Sequence, residues 1–461
     1  MKQNAKGKVE RYKARLVARG YSQTYGIDYD ETFAPVAKMN TVRILISCAA
    51  NFGWPLHQLD VKNAFLHGDL KEEVYMDIPP GFSTSETAGK VCRLKKALYG
   101  LKQSPRAWFD RFRQAVRGMG YGQCNGDHTL FYRHSKGKMT ILAVYVDDII
   151  ITSDDDVEIA RLKGCLSKAF EVKDLGRLKY FLGIEVARSG KGIALSQRKY
   201  TLDLLCDVGM LGCRAASTPI DQNHKVTTQS GDLVEKEKYQ QLVGRLLYLC
   251  HTRPDIAFAV SVVSRYMHEP RSEHLEAVYR ILRYLKGSPG KGLIYKSHGH
   301  LVVDGYCDAD WASCLNDRRS TSGHCVFVGG NLVSWRSKKQ PVVSKSTAEA
   351  EYRAMSQGLS ELLWTRNLLG ELKILKTSCM NVWCDNKSAI NIANNPVQHD
   401  RTKHVEIDRF FIKEKLDAGI IKIEYVSSGQ QIADCLTKGL GTRECSSACD
   451  KMGMIDIYHP S

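Results

Sequence analysis

The sequence predicts a multidomain chain of mixed α/β and α+β class. Three observations lead there. At 461 residues the chain is too long for one ordinary core, so about two or three domains are expected. Runs rich in β-branched residues alternate with segments whose apolar residues recur at helical spacing. Acidic residues then stand at the ends of apolar runs, at Asp60, Asp147, Asp148, Asp308, Asp385 and Asp434.

Residues 9–35 mix basic, strand-like positions with turn signals. Asn40 to Asn51 carries Val42, Leu45, Ile46 and Ala49 at helical spacing, and a short apolar strand then closes on Asp60. Pro79-Pro80-Gly81 is a loop. A long helix follows Ser104-Pro105, with Trp108, Phe112 and Val116 on one face and the proline in its first turn. The runs 139–146 and 149–152 read as a hairpin with Asp147-Asp148 at its turn, and a helix runs from about Val157 to Phe170. Tyr180 to Val186 reads as one strand interrupted at Gly183, where another backbone can come close. Thr218 to Glu235 is polar and marks a linker. Leu275, Val278, Leu282 and Leu285 form one apolar helical stripe that stops at Gly287. Beyond residue 300 come three strands, a helix bearing Glu349 and Glu351, a strand ending at Asp385, and a strand over Ile420–Val426 before Asp434.

Composition narrows the function classes. Hydrophobic residues make up 43% and charged residues 25%, which fits folded protein and argues against wholesale disorder. The net charge of +16 suits a polyanionic partner. Lys95, Lys96, Arg111, Arg113, Arg117, Arg280, Arg283 and Lys286 lie on segments that read as helices and would contact phosphates. Fifteen cysteines without a CxxC pair, and a polar start with no secretory leader, argue for free thiols in a reducing compartment. Cys445 and Cys449 have no partner histidine at zinc-ligand spacing and read as structural. No apolar stretch is long enough to span a membrane.

Two adjacent carboxylates in the apolar frame around Asp147-Asp148 repel each other and are costly to desolvate. A divalent cation bound between them removes both problems, and Asp60 supplies the third carboxylate that a two-metal phosphoryl-transfer site needs. The plain alternative is an Asp-Asp turn on a surface hairpin. Tyr145-Val146-Asp147-Asp148 resembles the Y-x-D-D box of reverse transcriptases, and Leu59-Asp60-Val61 their first metal-binding strand. With the stretches starting at Lys13, Gly26, Ala97 and Thr252-Arg253-Pro254-Asp255-Ile256, in that order, the chain resembles the copia-type retrotransposon Pol polyproteins over nearly its whole length. The later acids, in their order, resemble those of the RNase H fold.

The resemblance implies a right-hand polymerase palm with truncated fingers and the start of a thumb over 1–218, a helical connection over 219–298, an RNase H-like domain over 299–442 and a tail over 443–461. It implies Mg²⁺, two ions per site with Mn²⁺ as a substitute, on Asp60, Asp147 and Asp148 and on Asp308, Glu351, Asp385 and Asp434. Asp310 and Glu349 are the competing choices. Asp308 directly ends the apolar strand, and Glu351 is followed by a bulky residue, a variable one and alanine, as in the family. Phe65 takes the place of the aromatic beside the nucleotide sugar, with a core aromatic as the alternative; Tyr99 and Gly100 match the stretch beneath the nucleotide. Lys13, Arg15 and Arg19 would reach the triphosphate, Phe181 to Gly183 resembles the primer grip, and His404 receives no catalytic role.

The implied partners are RNA template, DNA primer, RNA–DNA hybrid and dNTPs, in the cytoplasm within virus-like particles and in the nucleus, with no membrane and no secretion. Fingers strands that usually precede Lys13 are expected to be missing, which would weaken dNTP binding. Two rival functions stand beside a reverse transcriptase with RNase H activity: a catalytically idle nucleic-acid-binding remnant, and an RNase H-only enzyme that uses a truncated palm as a clamp.

Overall fold

The computed structural model describes residues 2–3, 9–11, 15–224, 226–229, 231–375, 379–394 and 406–458; Lys13 and His404 lie outside the described residues. The chain divides into two compact units, Met1–Lys38 with Pro55–Arg177, and Met39–Trp54 with Leu178–Ser461.

The first unit is built on a six-stranded antiparallel sheet, in the order Val172–Arg177, Leu56–Val61, Asp148–Ser153, Lys138–Tyr145, Leu130–Ser135, Gly122–Gln123. Period-two alternation sends Leu59, Val61, Leu142, Val144, Ile149 and Ile151 to one face. Helices Ser104–Gly118 and Asp156–Ala169 cover that face with Trp108, Phe112, Val116, Ile159, Leu162 and Leu166. The first of these helices opens with Pro105, whose missing N–H costs nothing there. The second is capped by Asp155, whose carboxylate accepts the N–H groups of Val157 and Glu158.

In the second unit, one antiparallel sheet runs Tyr180–Phe181, Ile184–Ser189, Gly192–Ser196, Lys291–Tyr295, Met454–Asp456. The interrupted strand expected over 180–186 is instead a tight hairpin. Leu182 and Gly183 both have positive φ (47° and 73°), which turns the chain back so that Phe181 pairs with Ile184. What comes close to Gly183 is also not backbone but the hydroxyl of Tyr248, which donates to the Leu182 carbonyl. A helical core follows, in which Val278, Leu282 and Leu285 pack with Tyr239, Leu246 and Val263.

A further sheet of this unit runs Asn331–Lys339, Thr321–Val328, Val303–Asp310, Met380–Cys384, Ile421–Tyr425. Its first two pairings are antiparallel and its last two parallel. Helix Thr347–Glu371 lies on one face, and its Ala350 and Ala354 pack against Ala309. Among the described residues no helix is long and apolar enough to cross a membrane.

The Thr252–Ile256 stretch holds a buried charge pair. The Arg253 guanidinium grips the Asp255 carboxylate with Nε to Oδ1 at 2.9 Å and Nη2 to Oδ2 at 2.8 Å, and both side chains are 1% exposed. Tyr284 donates to Asp255, and Arg253 donates to the Ser288 carbonyl. Burial disfavours both charges, but mutual attraction holds the carboxyl below its ordinary value and the guanidinium above its own. Asp255→Asn should therefore cost about 3–5 kcal/mol in urea unfolding, because it strands a buried cation. An apolar pair at both positions should cost less.

Candidate functional sites

The first acidic set forms where two strands of the six-stranded sheet meet a tight turn. Asp60 lies directly opposite Asp148 in the antiparallel register, and Asp148 faces Tyr145 across the hairpin. Asp147 sits in the turn after Val146, a β-branched residue at φ 54° and hence in a strained backbone region. Two contacts hold that turn: the Trp108 indole N–H donates to the Val146 carbonyl at 2.7 Å, and the Val61 N–H donates to the Asp147 carbonyl at 2.8 Å. Gln58, two residues before Asp60 on the same face, donates to Asp148 Oδ1 at 2.9 Å. Burial, then the charges of Asp147 and Asp60, push the Asp148 carboxyl above its ordinary value against that hydrogen bond.

A ledge of side chains stands beside these acids. Phe65, half-buried after the left-handed Asn63, packs its ring against Tyr99 at a centroid distance of 4.9 Å. The Arg15 guanidinium lies over the Tyr99 ring at 5.1 Å. Burial, together with the charges of Asp147 and Asp60, raises the Tyr99 phenol despite Arg15. Gly100 has φ 93°, and a side chain there would collide with the Ala18 carbonyl, so the 15–18 segment can lie flat against the Tyr99–Gly100 turn. Arg19 is exposed.

The second set gathers at one end of the mixed sheet. Asp308 lies near the end of the central strand and Asp385 directly follows the neighbouring parallel strand. Glu351 enters from the second turn of helix Thr347–Glu371, and Asp434 from the short turn of helix Ile432–Leu436. Ligand atoms of Asp308, Asp385 and Asp434 lie within 4.8 Å of one another, as do those of Glu351, Cys384 and Asp385. Asp60, Asp147 and Asp148 form no such trio among the described residues.

Asp308 is 3% exposed and Glu351 4%, and burial followed by neighbouring carboxylates pushes their carboxyls up to about 7 and about 9. Three side chains temper this crowding: Thr437 donates to Asp308, Ser428 donates to Asp385 at 2.8 Å, and Lys438 pairs with Asp434 at 2.9 Å. Glu351 Oε2 has no hydrogen-bond partner.

The competing choices part company in the structure. Glu349 is taken up by the helix start: it accepts the Lys345 N–H at 2.7 Å and pairs with Arg353 at 2.8 Å. Asp310 falls outside the close trios, although burial also raises its carboxyl.

The expected phosphate-binding cations divide as well. Arg111, Arg113 and Arg117 lie on helix Ser104–Gly118, and Arg280, Arg283 and Lys286 on helix Ser272–Gly287. Lys95 and Lys96 are not helical, because the backbone at Lys96 bridges to Asp69, with which its ammonium also pairs. Sequence reasoning missed Gln58, Trp108, Thr437, Ser428 and Lys438. Lys438 could have been found from its i,i+4 spacing after Asp434, whereas Ser428 reaches Asp385 only through the fold.

Residues 1–222 match the family described as reverse transcriptase (RNA-dependent DNA polymerase). The Retrovirus-related Pol polyprotein from transposon RE2 of Arabidopsis thaliana is 44% identical over 98% of this chain, which spans 31% of that relative's length. A putative transposon Ty5-1 protein of Saccharomyces cerevisiae is 33% identical over 66% of this chain and is covered in full. The chain therefore belongs to the copia-type retrotransposon Pol proteins, with a reverse transcriptase family domain over residues 1–222. An N-terminal RNase H domain from Mycobacterium tuberculosis, solved as a fusion with maltose binding protein, aligns with 32% of this chain and 97% of its own at 15% identity and a TM-score of 0.23, too low to carry weight.

The raised carboxyls dictate a pH dependence. The folded values of Asp308 and Glu351 lie above their ordinary ones, so the fold retains protons that the unfolded chain releases. Their contribution to stability is present in full at low pH and is lost as pH rises through about 7 and then about 9. Metal-free protein should thus lose up to about 1.4 kcal/mol per pH unit for each retained proton as pH rises from the ordinary carboxyl values of 3.8 and 4.5 toward about 7 and about 9, with no further loss beyond them. Asp308→Asn should flatten the slope, read by chemical denaturation at a series of pH values.

Proposed function

We propose that the chain is an RNA-directed DNA polymerase joined to a ribonuclease that cleaves RNA in an RNA–DNA hybrid. In this reading the six-stranded sheet is the palm, with Arg15 and Arg19 on the fingers side of it. The helices after residue 198 serve as thumb and connection, and the mixed sheet beyond residue 299 is the nuclease. Template RNA, a DNA primer and dNTPs are the partners of the first site, and the hybrid product is the substrate of the second. Activity would take place in cytoplasmic particles and in the nucleus.

One observation carries this best: Asp60 and Asp148 face each other in register beside Asp147, next to a ledge of Phe65, Tyr99 and Arg15. The donor sets fit Mg²⁺ or Mn²⁺, since the acids supply hard oxygen ligands and Glu351 carries a buried oxygen with no partner. Held by Asp60, Asp147 and Asp148, and by Asp308, Glu351, Asp385 and Asp434, such ions would stabilise the attacking and leaving oxygens of an in-line displacement.

The protein's own groups do the rest. Gln58 orients Asp148, and Trp108 fixes the turn that carries Asp147. Arg15 would meet the triphosphate of a nucleotide resting on the Tyr99–Gly100 turn. At the second site Thr437 and Ser428 orient Asp308 and Asp385. Hybrid would be recognised there by backbone shape and 2′-OH groups.

A nuclease-only function is the second reading. It is favoured by the close trios, which gather carboxylates at the second site and not at the first. Primer-extension and hybrid-cleavage assays on the purified chain decide between the two. Asp147→Asn should reduce primer extension by roughly a hundredfold or more and leave cleavage intact, with Asp385→Asn doing the reverse. Cleavage without any primer extension by the unmodified chain would leave the nuclease-only reading. Loss of both activities from either variant, without unfolding, would rule out two independent sites.

Phe65→Val tests the ledge. If the ring stands against the nucleotide sugar, ribonucleotide incorporation should rise far more than deoxynucleotide incorporation falls. A plain core role would instead cost roughly 1–4 kcal/mol and lower both activities together. The rNTP/dNTP ratio measured beside a melting curve separates these outcomes.

A further inference from the structure

The second acidic set contains a ligand that hard-cation chemistry does not need. Cys384 is the last residue of its strand, and the alternation along Met380–Cys384 buries it on the same face as Met380 and Val382. It is 0% exposed, and Asp385 follows it directly. Its sulfur accepts the Asn386 N–H at 3.4 Å. The sulfur and the carboxylate oxygens of Glu351 and Asp385 lie within 4.8 Å of one another. An independent observation points to a ligand here: Glu351, 4% exposed, leaves Oε2 without a hydrogen-bond partner.

We infer that Glu351, Cys384 and Asp385 form a site for a thiophilic divalent cation such as Zn²⁺ or Cd²⁺, which would compete with Mg²⁺ for Glu351 and Asp385. The donor chemistry separates the two kinds of ion. Mg²⁺ takes oxygen ligands in octahedral geometry and has no use for the sulfur. Zn²⁺ accepts mixed sulfur and oxygen ligands in a tetrahedron, and one or two waters could complete this set.

Bonds of roughly 2.0–2.3 Å place tetrahedral ligand atoms about 3.5 Å apart, so the trio needs to close by no more than about 1.3 Å. On binding, the S–H bond breaks, a metal–sulfur bond forms and the proton leaves to solvent. No electron is transferred, and no further reactant is required. Cys307 lies on the adjacent parallel strand, where Tyr306 pairs with Trp383, but it is not part of the trio and serves as the control thiol.

The inference rests on reading this acidic set as a cation site, and the test separates the two. Cd²⁺ is titrated into the full chain, following the ultraviolet charge-transfer absorption of a cadmium–thiolate bond, while Mg²⁺ binding is measured by calorimetry. Difference spectra against Cys384→Ser remove the signal of the other cysteines, and Cys384→Ala serves if the serine variant fails to fold. Cys384→Ser should remove one saturable absorption step and weaken Cd²⁺ and Zn²⁺ binding by roughly tenfold or more while leaving Mg²⁺ affinity unchanged. Cys307→Ser should retain the step. If Mg²⁺ binds but Cd²⁺ affinity is indifferent to Cys384, the thiol site is wrong and the acidic site stands. If neither ion binds the wild-type chain, both ideas fall together.

Discussion

Mutual repulsion among crowded, partly or fully buried carboxylates is the constraint around which both acidic sets are organised. Each carboxylate loses hydration where a strand or helix delivers it, and each sits near others of the same sign. At the second set the consequence is largest, because Asp308 and Glu351 are nearly inaccessible. Lys438 supplies one compensating charge, and Thr437 and Ser428 supply hydroxyl donors. These are too few to neutralise four acids, and the residual strain explains why burial and neighbours still raise the Asp308 and Glu351 carboxyls. A divalent cation relieves such strain more completely than protonation does, since it satisfies several oxygens at once.

The first set handles the same problem with less burial and more backbone. Asp60 and Asp148 are placed opposite each other by strand register, and a one-residue slip of either strand would turn its acid to the wrong face. The apolar face beneath them prevents that slip, because Leu59 and Ile149 are locked into the core with Trp108 and Phe112. Trp108 therefore has two roles: its ring fills the core, and its indole N–H holds the strained Val146 turn. Core packing and the geometry of the acids cannot be varied independently here.

Elsewhere in the second unit, buried charges differ in how completely they are paired. The Arg253–Asp255 pair is fully engaged: its polar atoms are directed at Tyr284, Ser288 and each other. Arg43, on helix Met39–Phe52, is buried with less complete pairing, since its Nε has no hydrogen-bond partner. It donates to the Val333 and His251 carbonyls and to Asn40, with its guanidinium 3.9 Å from the centre of the Trp335 ring. Burial draws its pKa down to about 10, which still leaves it charged at neutral pH.

Much of this was legible in the sequence alone. Local periodicity and turn chemistry located the helices at 39–52, 104–118 and 156–169, the Asp147 hairpin, and the order of strands and acids beyond residue 300. Those features depend on neighbours within a few residues, which is the range that spacing reports. The sequence could not show that 180–186 folds back on itself, since a leucine at positive φ is not a usual turn signal and is held there with help from Tyr248. It preferred Glu351 to Glu349 only through the resemblance of the residues that follow; the physical distinction lies in Glu349 being taken up by Lys345 and Arg353. Nor could it bring Cys384 to Glu351 or Ser428 to Asp385, which are far apart along the chain. Such meetings depend on which strand lies beside which, and only the tertiary structure decides that.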